Sequence, residues 1–264
     1  SNDDFALVRY NADGTLDTSF GTGGKVITAI GSGNDNAYSV VIQADGKIVA
    51  AGYTWNGSNN DFALLRYNAD GSLDTGFGTG GKIIQAIGSS HDFGYSVTVQ
   101  PDGKIVVAGN ASNGFGNDFA LLRYNSNGSL DAGFGTSGKV ITNIGMDDVC
   151  YSVALQPDGK IVAAGYISTG NFINFVLARY NANGSLDTSF GTGGTVTTAV
   201  VSDPTWEFYN NTGYSVAIQT DGKIVVAGYA PDASGSSYDF ALVRYNVDGN
   251  LDNSFGTGGK VTTT

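Results

Sequence analysis

The sequence predicts an all-β fold built from repeated four-stranded units, and three observations support this prediction. A segment reading D-F-A-L-V-R-Y-N, or a close variant, begins at Asp4, Asp61, Asp118, Asn174 and Asp239. A second block, Y-S-V-x-[IVL]-Q-x-D-G-K-I-V-x-A-G, begins at Tyr38, Tyr95, Tyr151 and Tyr214. No window shows the 3.6-residue apolar period of an amphipathic helix. The repeat is therefore about 57 residues long and occurs four and a half times.

Each unit contains four predicted strands, lettered a to d and described here for the first complete copy. Strand a covers 38–43 and strand b covers 47–51. The hairpin between them contains Asp45-Gly46, a pair that tolerates the positive φ angles of a tight turn. Strand b is apolar on both faces, which is typical of a strand covered on both sides. Strand c covers 62–67, and strand d covers about 81–87 after a glycine-rich return.

Repeated four-stranded sheets of roughly 40–60 residues are typical of a β-propeller, in which neighbouring blades cover each other's faces. We therefore predict a β-propeller of four-stranded antiparallel blades. An open β-solenoid or a stack of hairpins is the less favoured alternative. We predict a single repeat domain over 1–264, with a half-blade of strands c and d at 4–30 and complete blades at 38–87, 95–144, 151–200 and 214–264.

The repeat motif resembles a known family. The combination Y-S-V-A-I-Q-x-D-G-K-I-V-V-A-G-Y with D-F-A-L-V-R-Y-N-x-D-G-x-L-D-x-x-F-G-x-G-G-K-V is similar to the delta-60 repeat, a bacterial propeller-type repeat, over nearly the whole chain. It is more distantly similar to NHL-repeat propellers. The resemblance implies that strand a is innermost, that the protein is exported by bacteria to the cell surface or secreted, and that the family supplies no catalytic residues.

One c–d hairpin is in excess, because the chain contains five c–d hairpins and four a–b hairpins. Either 4–30 completes the last blade and 239–264 is surplus, or the last unit is self-sufficient and 4–30 is surplus. A bare sheet edge promotes pairing with another chain. We therefore expect one of three outcomes: a fragment of a longer array, a ring with an extra half-blade, or a homo-oligomer or filament joined through the unpaired hairpin.

The two ends of the predicted strands differ in chemical variety. The a→b and c→d turns are nearly identical in every unit, so we call the end that carries them the uniform face. The other end, the variable-loop face, carries the b→c loops (54–60, 110–117, 167–173, 230–238) and the d→a loops (31–37, 88–94, 145–150, 199–213). Loops held by a rigid scaffold are the usual place for binding residues.

The variable-loop face contains the candidate ligand-binding residues. They are aromatic, amide and carboxylate side chains, the combination that suits a glycan or a peptide. The candidates are Trp55, Asp92, Asp203, Trp206, Glu207, Phe208 and Tyr209. The alternative interpretation, which we favour, is that the aromatic rings fix the loops onto the blade ends.

Two acidic patterns have competing interpretations. In the turn after strand c, Asn68, Asp70 and Asp74 match calcium-loop spacing, but Arg66 replaces the first ligand. We therefore favour a charge-assisted pair between the arginine and an aspartate over a metal site. Before strand a, the residues Asp35, Asp92, Asp148 and Asn211 form either a polar rim around a central channel or, as we favour, caps on the loop backbone. We predict no metal and no cofactor.

Charge and composition exclude several functions. The formal net charge is −11, and every lysine and arginine lies in a repeated position, so we expect no nucleic-acid binding. No stretch is apolar enough for a membrane-spanning helix, so we expect no membrane insertion. His91 is the sole histidine and has no serine or cysteine partner by sequence, so we expect no catalytic residues and no enzyme. A glycoside hydrolase using Glu207 with Asp203 or Asp232 is the weakest alternative. The main prediction is a non-catalytic exported propeller that acts as a rigid interaction or structural module.

Overall fold

A computed structural model describes residues 2–201, 208–232 and 234–264, and all regular structure in these residues is β. The first hairpin consists of β1 (Phe5–Val8) and β2 (Lys25–Thr28). The second sheet contains β3 (Asp35–Ile42), β4 (Ile48–Trp55), β5 (Asn60–Tyr67) and β6 (Lys82–Gln85). The third contains β7 (Asp92–Val99), β8 (Ile105–Ser112), β9 (Asn117–Tyr124) and β10 (Lys139–Thr142).

The remaining strands form two further sheets. The fourth sheet contains β11 (Asp147–Leu155), β12 (Ile161–Ser168), β13 (Phe172–Tyr180), β14 (Thr195–Thr198) and β15 (Tyr209–Asn210). The fifth contains β16 (Thr212–Ile218), β17 (Ile224–Pro231), β18 (Tyr238–Tyr245) and β19 (Lys260–Thr263). Among the residues described, none forms a helix of the length and hydrophobicity needed to cross a membrane.

The sheets confirm the predicted fold class of four-stranded antiparallel blades in about four and a half repeats. In each complete sheet, the four main strands pair in chain order, a with b, b with c and c with d. The short strand β15 adds to the fourth sheet by pairing in parallel with β13. β1 and β2 pair only with each other, whereas β16–β19 form a complete sheet. The first hairpin therefore does not complete the last blade.

The strand bounds and the a→b turn differ in detail from prediction. Strand a begins at Asp35 rather than at residue 38, and strand d is shorter, ending at Gln85. In the Asp45-Gly46 turn only the glycine takes a positive φ, +81°. The Asp45 carboxylate instead accepts a hydrogen bond from the Lys47 amide (3.1 Å). The aspartate therefore stabilises the turn through its side chain, as Asp does in many turns, and not through its own backbone angle.

A bulge in strand a explains the glycine at the end of the repeated K-I-V-x-A-G segment. The β3–β4 register shifts between Ala37 and Ser39, which brings the Asn36 carbonyl over strand b. A Cβ atom built on Gly52 would lie 1.7 Å from that oxygen, so no other residue fits there without moving the backbone. Gly165 and Gly228 stand in the same position against β11 and β16.

Two compact units are present, Ser1–Val107 with Leu122–Asp131, and Ala108–Leu121 with Ala132–Thr264. In the first unit, the rings of Phe5 and Phe20 pack with Ile48 and Leu65, and the buried Tyr67 hydroxyl donates to Thr28 Oγ1 (3.0 Å). Strand b, which is β4 in this sheet, is buried on both faces, as predicted. Neighbouring elements cover its apolar run and also that of β5, the adjacent strand c.

The second unit repeats this arrangement. Val162, Phe175 and Phe190 pack with Val226 and Val243 in a single apolar cluster. The tyrosine that ends strand c is again buried, and its hydroxyl donates to a threonine of strand d in the preceding sheet. These pairs are Tyr180 with Thr142 (2.8 Å) and Tyr245 with Thr198 (2.9 Å). In three of the four complete sheets, the strand-c tyrosine thus makes one buried hydrogen bond within an apolar contact, a polar group satisfied as burial requires. In the third sheet the tyrosine is Tyr124, and Gln85 stands at the position of the threonine.

Candidate functional site

The uniform face is held together by repeated ion-pair clasps. Asp74 Oδ2 accepts from Arg66 Nε and from Lys47 Nζ, both at 2.7 Å, and the guanidinium lies 4.3 Å from the centre of the Phe77 ring. The Lys47 ammonium and the Arg66 guanidinium lower the pKa of Asp74, against the opposing effect of burial. Arg66 Nη1 also donates to the Ser126 carbonyl (2.5 Å) of the next repeat.

The clasp confirms the prediction that the arginine pairs with an aspartate in this turn. The same aspartate, arginine and lysine meet in three further copies: Asp131 with Arg123 and Lys104, Asp187 with Arg179 and Lys160, and Asp252 with Arg244 and Lys223. The carboxylate that a calcium loop would use is therefore already neutralised by two cations. Within the described ranges, no three His, Cys, Asp or Glu side chains are grouped so that they could hold a metal ion.

The polar residues before strand a cap the loop backbone. Asp35 Oδ2 accepts from the Ile30 amide (2.6 Å), and Asp92 Oδ2 accepts from the Ile87 amide (2.7 Å). Asp148 and Asn211 accept in the same way from the amides of residues 144 and 201. All four side chains are buried. The capping interpretation is confirmed, and Asp92, a predicted ligand contact, stabilises its loop from inside the fold.

Six rings form a continuous aromatic surface on the variable-loop side of the first unit. We call this surface the first aromatic belt, and its members are Tyr38, Tyr53, Trp55, His91, Phe93 and Tyr95. Neighbouring ring centres are between 4.8 Å (Tyr53–Phe93) and 6.2 Å (Phe93–Tyr95) apart. Tyr38 and His91 are exposed and the others are half-buried, so the belt presents ring surface to solvent.

The rings are fixed by one another and by the loops. The Tyr38 and Tyr53 hydroxyls lie 3.2 Å apart. Burial, together with this hydroxyl contact, raises the pKa of Tyr53 to about 12, so the phenol stays neutral at physiological pH. The Asn60 backbone N–H donates to His91 Nδ1 (3.2 Å), and the Asn59 side-chain Nδ2 donates to the Ser89 carbonyl (2.8 Å). A b→c loop and a d→a loop are thereby joined.

An open groove of about 440 Å³ lies beside the belt. Tyr53 and Trp55 supply its aromatic wall, and Asn34, Asn36 and Asn60 supply amide groups. Gly33 lies directly against the indole, because a Cβ atom there would be 2.5 Å from Trp55 Cδ1 and 2.7 Å from its Cβ. The groove therefore combines flat rings with hydrogen-bonding groups and contains no charged lining residue.

The second unit has an aromatic belt of its own, the second aromatic belt. Its members are Tyr151, Tyr166, Tyr214, Tyr229 and Tyr238, with Tyr151 and Tyr214 separated by 4.8 Å between ring centres. Burial raises the pKa of Tyr214 to about 12. Beside this belt, Tyr209 stacks on Phe172 at 4.4 Å, in the short parallel pair of β15 with β13.

The predicted ligand residues are distributed over both units. Trp55 belongs to the first aromatic belt, Tyr209 stacks on Phe172, and Phe208 is exposed. Asp203, Trp206 and Glu207 lie outside the described residues. Sequence reasoning missed Tyr38, Tyr53 and Tyr95, although one signal was present. In a strand, residues i and i+2 share a face, so the pairs Tyr53/Trp55 and Phe93/Tyr95 indicate aromatic faces on β4 and β7.

The fold and the repeated clasps define the protein as a β-propeller. A family model described as a domain of unknown function (DUF5122) beta-propeller matches residues 1–20, 43–77, 100–134, 156–190 and 219–255, which is more than half of the chain. The chain therefore belongs to the DUF5122 beta-propeller family. No curated protein is similar enough in sequence to count as a match.

Several solved structures are similar to this chain at low identity. A protein of unknown function from Bacteroides caccae is 14% identical, with a TM-score of 0.49 over 92% of this chain and 69% of its own. The glycoside hydrolase family 43 protein YxiA of Bacillus licheniformis is 14% identical (TM-score 0.41; 78% of this chain, 55% of its own). An endo-arabinase from Bacteroides thetaiotaomicron is 10% identical (TM-score 0.41; 81% and 77%).

These similarities correct one prediction. The prediction that the chain is not an enzyme is wrong, because it took a lone histidine without a partner, and a resemblance that supplies no catalytic residues, as grounds for exclusion. Two of the similar propellers are named as a glycoside hydrolase and as an endo-arabinase, so the fold does not exclude catalysis. At this identity, they assign no reaction to this chain.

Proposed function

We propose that the chain is a rigid propeller scaffold that binds a carbohydrate on the first aromatic belt. One observation carries this proposal: two rings of the belt, Tyr53 and Trp55, line a groove whose polar side chains are those of Asn34, Asn36 and Asn60, and the other four rings extend this aromatic surface beside it. Flat rings pack against the apolar face of a sugar, and amides exchange hydrogen bonds with its hydroxyl groups.

The chemistry of the groove favours a neutral ligand. Its lining contains no lysine, arginine, aspartate or glutamate, so neither an acidic nor a basic ligand finds an ion-pair partner there. The net charge of −11 opposes a polyanion such as nucleic acid. The loops are already joined through Asn59, Asn60 and His91, so little ordering of the loops opposes binding.

The setting of this function is also a proposal. The repeat motif supports the delta-60 name and its kinship with NHL propellers. The same motif, together with the acidic composition, supports export to the cell surface or to the medium. The single domain over 1–264 stays a prediction, and so do the predicted ligand contacts, including that of Trp55.

A glycan array probed with the full chain, followed by calorimetry on the best ligand, tests the proposal. We expect Trp55→Ala and Tyr53→Ala each to weaken binding about fivefold or more, since each removes one stacking surface. Phe115→Ala is the matched control, because Phe115 is fully exposed and lies outside both belts. Analysis of the same mixtures for cleaved products measures turnover.

Binding of a peptide but no glycan would contradict the proposed ligand class. Glycan binding that Trp55→Ala and Tyr53→Ala leave unchanged would contradict the proposed surface.

A further inference from the structure

Two pairs of buried polar residues occupy the same place in the repeat. The first member of each pair begins the D-F-A-L segment or its variant, and the second is the cap that precedes the tyrosine of strand a by three residues. One pair is Asp118 with Asp148, and the other is Asn174 with Asn211. All four residues are at most 8% exposed. The same buried position therefore contains two carboxyl groups in one copy and two amides in the other.

In the amide pair, the Asn211 side chain both accepts and donates. Its Oδ1 accepts from the Val201 backbone N–H (2.9 Å), which is the capping bond. Its Nδ2 donates to three oxygen atoms, namely the Val201 carbonyl (3.1 Å), the Ile173 carbonyl (3.2 Å) and Asn174 Oδ1 (3.5 Å). Acceptors thus surround the Nδ2 position, so the atom that occupies this position must be a donor.

Asp148 makes the same capping bonds but has no donor atom when it is ionised. Its Oδ2 accepts from the backbone N–H groups of Ile144 (2.6 Å) and Gly145 (2.9 Å), the role that Oδ1 has in Asn211. Its Oδ1 therefore takes the place of the Asn211 Nδ2 atom. This oxygen is buried, and no atom of the described residues donates a hydrogen bond to it. An ionised carboxylate can only accept, so a buried oxygen among acceptors would be left unsatisfied.

Hydrogen bonds favour the negative charge on the other member of the pair. Asp118 Oδ1 accepts from Asn143 Nδ2 (2.7 Å), and Asp118 Oδ2 accepts from Asn113 Nδ2 (2.9 Å). Both oxygens of Asp118 therefore have donors, whereas only one oxygen of Asp148 has them. Hydrogen bonding to the charged form of a carboxyl favours that form, so Asp148 is the member better suited to hold a proton.

The charges around Asp148 also favour its neutral form. Burial raises the pKa of Asp148, the two loop N–H groups oppose this effect, and the negative charges of Asp118 and Asp147 raise the pKa further. Among the ion pairs of the described residues, none includes any of these three aspartates. Two like charges in such a buried position cannot both form easily.

The remaining neighbours of Asp148 are uncharged. On β12, the residue opposite Asp148 is Ile167. Tyr180 of β13 and Cys150 of β11 are titratable, but burial raises the pKa of each of them, so both are neutral at physiological pH. Apart from Asp118 and Asp147, no neighbour named here brings a charge to Asp148.

We propose that Asp118 and Asp148 share one proton in the folded protein, and that this proton, held on Asp148 Oδ1, makes the cap on the adjoining d→a loop sensitive to pH. The protonated Oδ1 donates to Asp118, as Asn211 Nδ2 donates to Asn174, while Oδ2 continues to accept from the loop. Loss of the proton at higher pH adds a second charge to the buried pair and weakens the cap.

The loop that this cap holds also contacts the second aromatic belt. Asp147 Oδ2 accepts from the hydroxyl of Tyr166 (3.0 Å), and Asp147 Oδ1 accepts from the Asn117 side chain (2.8 Å). Asp147 is the residue next to Asp148 in the chain. A loosened cap therefore acts on the loop residue that orients a ring of this belt.

Urea denaturation of the native chain and of Asp148→Asn between pH 3.5 and 8 tests the proposal. The amide of the variant keeps a donor in this position at every pH, as Asn211 does. A carboxyl whose pKa is raised by folding stabilises the folded state below its unfolded pKa of about 3.9, and this stabilisation is lost as pH rises through the folded pKa. We expect the two folding equilibrium constants to agree at pH 3.5, and that of Asp148→Asn to be about tenfold higher or more at pH 8.

Two further measurements locate the proton. In the native chain, the amide resonances of residues 144 and 145 should shift with pH at the midpoint of the stability difference, and in Asp148→Asn this shift should be absent. Asp118→Asn should lower that midpoint by about one pH unit, because it removes the like charge beside Asp148.

Asp158→Asn is the matched control in an a→b turn. The Asp158 side chain is 54% exposed, and against the effect of burial, the backbone N–H and the ammonium of Lys160 lower the pKa of its carboxyl. Its ionised form therefore stabilises the folded state, and Asp158→Asn should not raise the folding equilibrium constant at pH 8.

Three results would overturn the proposal. Asp148→Asn is less stable than the native chain at pH 8, the ratio of the two folding equilibrium constants is the same at pH 3.5 and pH 8, or calcium chloride at pH 8 stabilises the native chain but not Asp148→Asn. The last result would assign Asp148 Oδ1 to a bound cation.

Discussion

In the first unit, the two ends of the strands hold their loops by different chemistry. At the uniform face, Asp74 is bound by Arg66 and Lys47, and equivalent aspartates recur in every repeat. At the variable-loop face, Asp35 and Asp92 cap the loop backbone from inside the fold, and Asn59 and Asn60 join neighbouring loops through neutral hydrogen bonds, beside rings that remain partly exposed. The comparison teaches that the charges of this acidic protein maintain the blades, whereas its uncharged aromatic residues are available to a ligand.

The largest expected effect comes from breaking a buried clasp. Arg179→Met should lower the free energy of unfolding by about 3 kcal/mol, because the mostly buried Asp187 carboxylate then keeps only one cation, the more distant Lys160, beside its hydrogen bonds from Ser189. Arg9→Met is the control, since the Arg9 side chain is 34% exposed and the loss there should stay below about 1 kcal/mol. Urea denaturation measures both. Equal losses in the two variants would contradict the expectation that a buried clasp contributes more to the free energy of unfolding than an exposed one.

The next effect separates binding from stability. Gly33→Ala should displace Trp55 and weaken glycan binding about as much as Trp55→Ala, while lowering the free energy of unfolding by about 1–2 kcal/mol, because the added Cβ would also lie 2.7 Å from Trp55 Cβ, which moves only with the backbone. Gly76→Ala is the control at the uniform face, where an added Cβ meets no atom closer than 3.5 Å. Calorimetry and urea denaturation measure the two effects. A native affinity in Gly33→Ala would contradict the role assigned to Trp55.

The smallest effect is a difference in pH dependence between the two faces. Hydrogen bonds from Ser189 and the pairing with Arg179 and Lys160 lower the pKa of Asp187 to about 2. This stabilisation is fully present above pH 4 and is lost as pH falls towards 2. Burial raises the pKa of Tyr53 to about 12, so above pH 10 the phenol ionises in the unfolded chain while it stays neutral in the folded protein, and the free energy of unfolding falls between pH 10 and 12.

Urea denaturation at pH 5, 3 and 2 tests the acid limb, and absorbance of ionised tyrosine tests the basic limb. Asp187→Asn should reduce the fall in the free energy of unfolding between pH 5 and pH 2. Tyr53→Phe should remove part of the tyrosinate absorbance that appears near pH 12. A Tyr53→Phe variant with an unchanged titration above pH 10 would argue against a buried phenol in the first aromatic belt.

Much of this architecture can be predicted from the repeat alone. The sequence specifies four-stranded sheets through its 57-residue spacing, its Asp-Gly turns and its order of strand segments separated by turns. It can do so because turn formation and the pairing of successive strands involve residues close in the chain. The pairing of Arg66 with Asp74, eight residues apart, is of the same kind. The cap formed by Asp92 is also local, since it acts on the amide of residue 87.

Other features depend on which sheets lie against each other. The same repeat position is buried at Val97 and exposed at Val40, and the same tyrosine is buried at residue 67 and exposed at residue 10. The aromatic belts likewise join rings from different strands and sheets, and the need for glycine at residue 52 comes from a carbonyl of another strand. Segments of nearly identical sequence differ in exposure because the burial of a residue depends on the elements packed against it. Only the tertiary structure decides which elements those are.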